Sequence, residues 1–301
     1  MPIAVTAAAG VCLALGPASL VPRTGPAGPA DRPGPVYRLA VARRPRDARQ
    51  YGLPLARCEQ KLERARRRDT RAVPVLAVVG ASFTAGVGPG NPLSSWAVRL
   101  ARLLHWDAVI DGVPGAGYVR AGVGHRGPVA AEIGQVDLRG LAPSFVIVQA
   151  GHDDIGVPSQ LERQRVTQAI ALIRAQAPRA QIALLTVFTG PAPGLAAYRT
   201  DHVIVAAGTA AGHGVIVMDP LTGDWKFGRS PGGIHPSAAG SAWIAHEVEG
   251  ILREHGVRAA PSDRRTGSPT AAASAVICDS GVRRGRSRGH GPVLTSAGTP
   301  G

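Results

Sequence analysis

Ser82 and His235 are the residues whose types and settings most clearly point to chemistry. Gly80-Ala81-Ser82-Phe83-Thr84-Ala85-Gly86 follows directly on the apolar run 73–79, so Ser82 is expected on a tight turn at the tip of a strand. Gly233-Ile234-His235-Pro236-Ser237 comes much later and sets an imidazole just ahead of a helical stretch. A serine hydroxyl attacks an acyl carbon usefully only when a base takes its proton. A Ser turn followed by a late loop His therefore reads as a hydrolase pair. Two further segments invite attention, Gly112-Val113-Pro114-Gly115-Ala116 and Gly151-His152-Asp153-Asp154, each just after an apolar run.

The elements that must position these groups show in the pattern of the chain. Short apolar runs rich in β-branched residues occur at 73–79, 108–110, 145–150, 182–188 and 215–218. Helical stretches lie at 94–104, 159–176, 195–211 and 237–255. Strands apolar throughout and alternating with helices imply a parallel sheet covered on both faces. The expected fold is α/β, a three-layer α/β/α sandwich with a five-stranded parallel sheet. Ligands of such sheets bind at the carboxyl ends of the strands, where Ser82, Gly115, Asp153 and His235 all fall.

In these four segments the chain resembles the SGNH (GDSL-like) hydrolase family, over about residues 73–256. Gly80-Ala81-Ser82 resembles the Gly-Asp-Ser block, which implies that Ser82 is the nucleophile. Gly112-Val113-Pro114-Gly115-Ala116 resembles the glycine block, with the Gly115 N–H turned to the oxyanion. Gly151-His152-Asp153-Asp154 resembles Gly-x-Asn-Asp, and Gly232-Gly233-Ile234-His235 resembles Asp-x-x-His. The resemblance implies a flavodoxin-like SGNH fold, ester hydrolysis and no cofactor.

Three positions depart from the family pattern. Ala81 stands in place of the first-block acid, and Gly232 stands where the triad Asp belongs. His235 then needs another acceptor for its Nδ1–H, either a main-chain carbonyl or Asp224 if its loop folds back. Asp153 replaces an Asn that donates an N–H to the oxyanion, and an ionised carboxylate there would repel that charge. Either Asp153 is protonated, its pKa raised by burial beside Asp154, or it points away and leaves the hole to the Ser82 and Gly115 amides. Asp154 is expected to be auxiliary, bonding local backbone amides, and His152 to shape the pocket. Gly86-Val87-Gly88-Pro89-Gly90 lacks the ending of a phosphate loop and is read as a flexible rim of the acyl pocket. No metal is expected, and the remaining histidines form no ligand-spaced set.

The 301 residues carry a formal charge of +14, and its placement decides what it means. Residues 73–256 hold 13 Lys and Arg against 13 Asp and Glu, whereas residues 1–72 hold 14 against 5 and residues 257–301 hold 7 against 2. A neutral folded part with basic flanks argues against a specific nucleic-acid surface and for weak association with an acidic envelope. Residues 1–20 read as a signal peptide or apolar leader, residues 21–72 as a Pro/Arg-rich basic flank with a short helix at 54–69, and residues 257–301 as a disordered basic tail. Three cysteines make no disulfide framework. Cys58 and Cys278 would pair only in an oxidising compartment, and unpaired thiols are the reading adopted.

The function expected is a serine esterase or lipase-like hydrolase that cleaves small or medium acyl esters through a Ser82–His235 dyad. The oxyanion would be held at Ser82, Gly115 and Asp153. The alternatives are an acyltransferase or deacetylase on envelope polysaccharide, using the same residues, and a catalytically weakened ligand-binding member. The substrate is a small-molecule, glycan or lipid acyl ester. The protein is expected to be a bacterial monomer, secreted or associated with the cell envelope.

Overall fold

The computed structural model describes residues 57–60, 62–64, 73–188, 190, 192–231, 233–261 and 277–279. The leader 1–20, most of the flank 21–72 and most of 257–301 lie outside the described residues, as does Gly232.

Among the described residues six strands form one sheet: β1 (Val75–Gly80), β2 (Asp107–Gly112), β3 (Phe145–Gln149), β4 (Gln181–Leu185), β5 (Val215–Met218) and β6 (Ile277–Asp279). Their order is β5-β4-β3-β1-β2-β6, and every pairing is parallel. The helices are α1 (Trp96–Leu104), α2 (Val129–Gln135), the single turn α3 (Leu138–Leu141), α4 (Ser159–Gln176), α5 (Leu195–Ala210) and α6 (Ala238–Glu254).

Alternation along each strand divides the core into two layers. Leu76, Val78, Ala108, Ile110, Ile147 and Leu185 face α1 and α6, where Trp96, Leu100, Leu104, Ile244 and Val248 complete one cluster. Ala77, Val79, Val109, Val146, Val148 and Leu184 face α2 to α5 and pack with Ile133, Leu138, Val166, Ile173 and Ile204. Both faces are covered, so the strands read as unbroken apolar runs. The expected three-layer fold with its five parallel strands β1 to β5 is present.

Differences from the sequence expectation lie at the periphery. Ser95 Oγ accepts from Val98 N and Ser237 Oγ from Gly240 N, so α1 and α6 start just after these caps. Helices α2 and α3 occupy a stretch for which no element is expected, each too short to show a helical period. Residues 57–60 and 62–64 are helical, within the helix expected at 54–69.

The stretch expected as a disordered tail is ordered in two places. Val257 is buried, Ala260 N donates to Leu104 O at 2.8 Å, and Trp106 Nε1 donates to Arg258 O at 3.1 Å. Ile277–Asp279 then pairs with Ala108–Ile110 and extends the sheet to a sixth strand. The bare edge of β2 presents backbone donors and acceptors that need partners, a demand invisible in the composition of the tail. Cys58 is disulfide-bonded and packs against the α2–α5 layer, which corrects the expectation of a free thiol. Spacing along the chain carries no information about which thiols folding brings together.

Leu100 is fully buried at the seam of α1 and α6. Leu100→Ala is expected to lower unfolding stability by about 2–5 kcal/mol, read from chemical denaturation midpoints with an unchanged slope.

Candidate active site

Gly80, the last residue of β1, is in register with Gly112 of β2 on one side and Gln149 of β3 on the other. The loops carrying Ser82, Gly115 and Asp153 therefore leave the sheet side by side. They do so where the strand order reverses direction, which is where a doubly wound sheet opens a crevice.

The serine turn is tied to β3. Ala81 N donates to Gln149 O at 3.0 Å, and Gln149 Oε1 accepts from Thr84 N at 3.2 Å and Thr84 Oγ1 at 2.9 Å. Val87 N closes the turn on Ser82 O at 3.0 Å. Gln149 is a buried polar side chain at the end of an apolar strand. That placement is a sequence signal, and it was missed.

His235 reaches this turn from the loop before α6. Its Nε2 lies 2.8 Å from Ser82 Oγ. Ser230 joins the two loops, its hydroxyl lying 2.7 Å from Gly88 O and 3.1 Å from Pro236 O, while Ser230 N donates to His235 O at 2.9 Å. Gly88 has φ +111°, and a Cβ there would lie 2.5 Å from Pro236 O and 2.7 Å from His235 Cβ. The segment expected as a flexible rim is thus packed against the histidine loop at Gly88. Only glycine allows that approach.

Burial lowers the pKa of His235, and the neighbouring His152 lowers it further. The Phe83 ring, 5.2 Å from the imidazole and stacked 4.6 Å from Phe188, supplies part of the apolar surroundings. A neutral His235 with its proton on Nδ1 accepts from Ser82 Oγ–H at Nε2. Among the described residues nothing bonds Nδ1. Asp224 does not fold back: it is exposed and ion-paired with Lys226 at 2.8 Å. His152 Nδ1 lies 2.5 Å from Phe188 O, and since a carbonyl only accepts, that nitrogen carries the proton.

Ser82 N–H and Gly115 N–H make no hydrogen bond among the described residues, so both can donate to a ligand. Gly115 takes φ +78° in a turn closed by Ala116 N on Val113 O. Burial raises the pKa of both Asp153 and Asp154, which differ in their hydrogen-bond partners. Burial raises the Asp153 pKa, His152 partly offsets the rise, and its Oδ2 is buried without a partner. Burial is the largest cause, and the Asp153 and Asp154 carboxyls repel each other, which raises the pKa of Asp154 in turn.

Asp154 is buried and accepts from Tyr118 N at 2.6 Å, Val119 N at 3.2 Å and Arg120 N at 3.0 Å. It thereby holds the loop that follows Gly115, and the amides it bonds lie 34 to 36 residues away in the chain instead of locally. Gly117 leaves the room, since a Cβ there would collide with the Asp154 carboxylate. Glu162, also buried, has its pKa pushed up to about 9 by burial and then by the charge of Asp154. It is therefore neutral at pH 7 and adds no second negative charge. Among the described residues no group of three or more His, Cys, Asp or Glu is placed to hold a metal ion.

The GDSL-like Lipase/Acylhydrolase family matches residues 78–243, more than half of the chain and the whole span from β1 into α6. No curated protein matches. Among solved structures, a carbohydrate esterase family 2 enzyme with a carbohydrate-binding domain from Corynascus thermopiles aligns at 18% identity and TM-score 0.52, covering 62% of this chain and 68% of that one. Another solved chain aligns at 19% identity and TM-score 0.51, covering 62% of this chain and 99% of its own. A family two carbohydrate esterase from Clostridium thermocellum, solved with cellohexaose, has 18% identity, TM-score 0.49 and coverage of 62% and 66%. At these identities the structural likeness is one of fold.

Gly88→Ala is expected to push the histidine loop away from Ser82 and slow fluorophosphonate labelling of Ser82 by about tenfold or more. Mass spectrometry of labelled protein over time would measure it, and unchanged labelling would show that the loop contact does not set the pair.

Proposed function

Because the chain belongs to the GDSL-like Lipase/Acylhydrolase family, we propose that it is a serine esterase acting on small or medium acyl esters, with Ser82 as nucleophile and His235 as general base. The observation that carries this reading is the 2.8 Å contact between Ser82 Oγ and a neutral, partly buried His235 Nε2, beside two unbonded backbone amides. Ser82 Oγ attacks the acyl carbon as its proton passes to Nε2. The carbonyl oxygen becomes an oxyanion held by the Ser82 and Gly115 N–H groups. The C–O bond to the alcohol breaks, and the His235 proton goes to the departing oxygen. Water then gives a proton to Nε2 and its oxygen to the acyl carbon, and Ser82 leaves with that proton restored. With no carboxylate bonded to Nδ1 among the described residues, the imidazolium formed in each step is less stabilised than in a full triad. A transferase reading uses the same residues with a sugar hydroxyl in place of water, and product analysis with an added acceptor separates the two.

Asp153 completes the oxyanion site in its protonated form. Burial favours that form, and its unpartnered Oδ2 supports the assignment. The disulfide at Cys58 supports export to an oxidising compartment.

Ser82→Ala is expected to abolish both p-nitrophenyl acetate hydrolysis and fluorophosphonate labelling. Hydrolysis at the wild-type rate would refute the nucleophile assignment.

The pH profile follows from two shifts. Activity should rise as pH climbs through the lowered His235 pKa, because Nε2 must be free. It should fall as pH climbs through the raised Asp153 pKa, because the carboxylate has no proton to donate and repels the oxyanion. Asp153→Asn keeps a donor at every pH and is expected to remove that fall and raise kcat/KM by about tenfold or more at pH values where the Asp153 carboxyl is ionised. A fall unchanged in that variant would count against Asp153 as an oxyanion donor.

A further inference from the structure

Two clefts open beyond the carboxyl ends of β4 and β5, and Tyr198 lines both. The first, about 520 Å³, is lined by Phe188, Trp225, Phe227, Lys226 and Arg229. It begins at the candidate active site. Phe188 stacks on Phe83 beneath His235, and Gly190 of the cleft faces Ile234, the residue before His235. The second, about 470 Å³, is formed by Arg163, Arg199 and His202 with Leu195 and Tyr198.

The chemistry of the lining is consistent along this path. Trp225 is held edge-on by Phe188 at 6.0 Å and by Trp243 at 5.7 Å, which fixes the orientation of its indole. Tyr198 is 43% exposed between the clefts. Arg229 lies over the Phe227 ring at 4.7 Å. Asp224 is the one carboxylate among the residues lining either cleft, and Lys226 already pairs with it. The domain 73–256 is neutral as a whole, so this surplus of cations is local.

We propose that the two clefts form one trough that binds an acidic glycan, the chain that bears the ester to be cleaved. Its pyranose rings pack on the faces of Trp225 and Tyr198, which bury the apolar side of a sugar ring. Its carboxylates meet Arg163 and Arg199, whose guanidinium forks match carboxylate geometry. Rings set in concave clefts suit an extended chain better than a lipid surface, which would call for a continuous convex apolar patch. The proposal deepens the esterase reading by naming its substrate class, and it rests on that reading for the position of the ester.

The test measures binding in the full-length Ser82→Ala protein by affinity electrophoresis and calorimetry. The probes are de-esterified oligogalacturonate, neutral xylohexaose and phosphatidylglycerol vesicles. Oligogalacturonate is expected to bind at least tenfold more tightly than xylohexaose. Adding Arg163→Glu/Arg199→Glu should weaken oligogalacturonate binding at least tenfold, as should adding Trp225→Ala. Binding unchanged in both variants would assign it to the basic flanks and overturn the proposal. Equal affinity for the neutral glycan would also overturn it, as would a loss confined to vesicle binding. Hydrolysis of p-nitrophenyl acetate by the wild-type chain is read separately. An inert wild type with intact, trough-dependent glycan binding would fail the esterase reading and leave the trough standing. An active enzyme with trough-independent binding would do the reverse.

Discussion

A hydrogen bond needs its two atoms within about 3 Å, and the one between Ser82 Oγ and His235 Nε2 joins residues 153 positions apart in the chain. Much of the architecture at the carboxyl end of the sheet serves this 2.8 Å contact. β1 presents Ser82 at the point where strand order reverses, and Gln149 holds the turn from β3 through its backbone oxygen and its side chain. From the other side Ser230 ties the histidine loop to Gly88 O, and the missing side chain at Gly88 lets the loops meet. Side chains on rigid strand and helix ends keep such a contact within tolerance better than free loops would.

The adjacent carboxyls Asp153 and Asp154 show how environment separates residues of one type. Asp154 receives three backbone N–H groups, which stabilise its charge and let it hold the loop that follows Gly115. Asp153 has a buried, unpartnered oxygen and nothing but His152 to favour its anion. Burial raises the pKa of both; at Asp154 the three amides offset part of the rise, and at Asp153 only His152 does. Glu162, beside Asp154, is pushed up to about 9 by burial and then by the charge of Asp154. The same chemistry thus yields a structural anchor at one position and a candidate proton donor at the next.

Much of the fold was legible before the structure. Five unbroken apolar runs alternating with amphipathic stretches leave little besides a parallel sheet covered on both faces, because a strand exposed on one face would alternate in polarity. The candidate site was legible to the extent that its residues sit in short segments with unusual local chemistry: glycine beside serine, or histidine followed by proline and a capping serine. Gln149, Ser230 and the stacked Phe83–Phe188 pair were not picked out. Each acts through a partner distant in sequence, 65 residues away for Thr84–Gln149 and 142 for Ser230–Gly88. Helices α2 and α3 escaped notice because a helix of one or two turns is too short to display a period.

By itself the sequence determined the type of fold, the order of the strands along the chain and the segments that carry the candidate serine and histidine. Those follow from periodicity and from residue chemistry within a few positions, which any reading of the linear chain can see. The tertiary structure decided that Ser82 and His235 meet, that Asp224 faces solvent instead of His235, and that burial raises the Asp153 pKa. It also recruited Ile277–Asp279 to the edge of β2, bonded Cys58 into a disulfide and joined two cationic, aromatic clefts at Tyr198. These outcomes turn on distance and desolvation. Both are set when segments remote in the chain pack together, and neither is written in the spacing of residues along it.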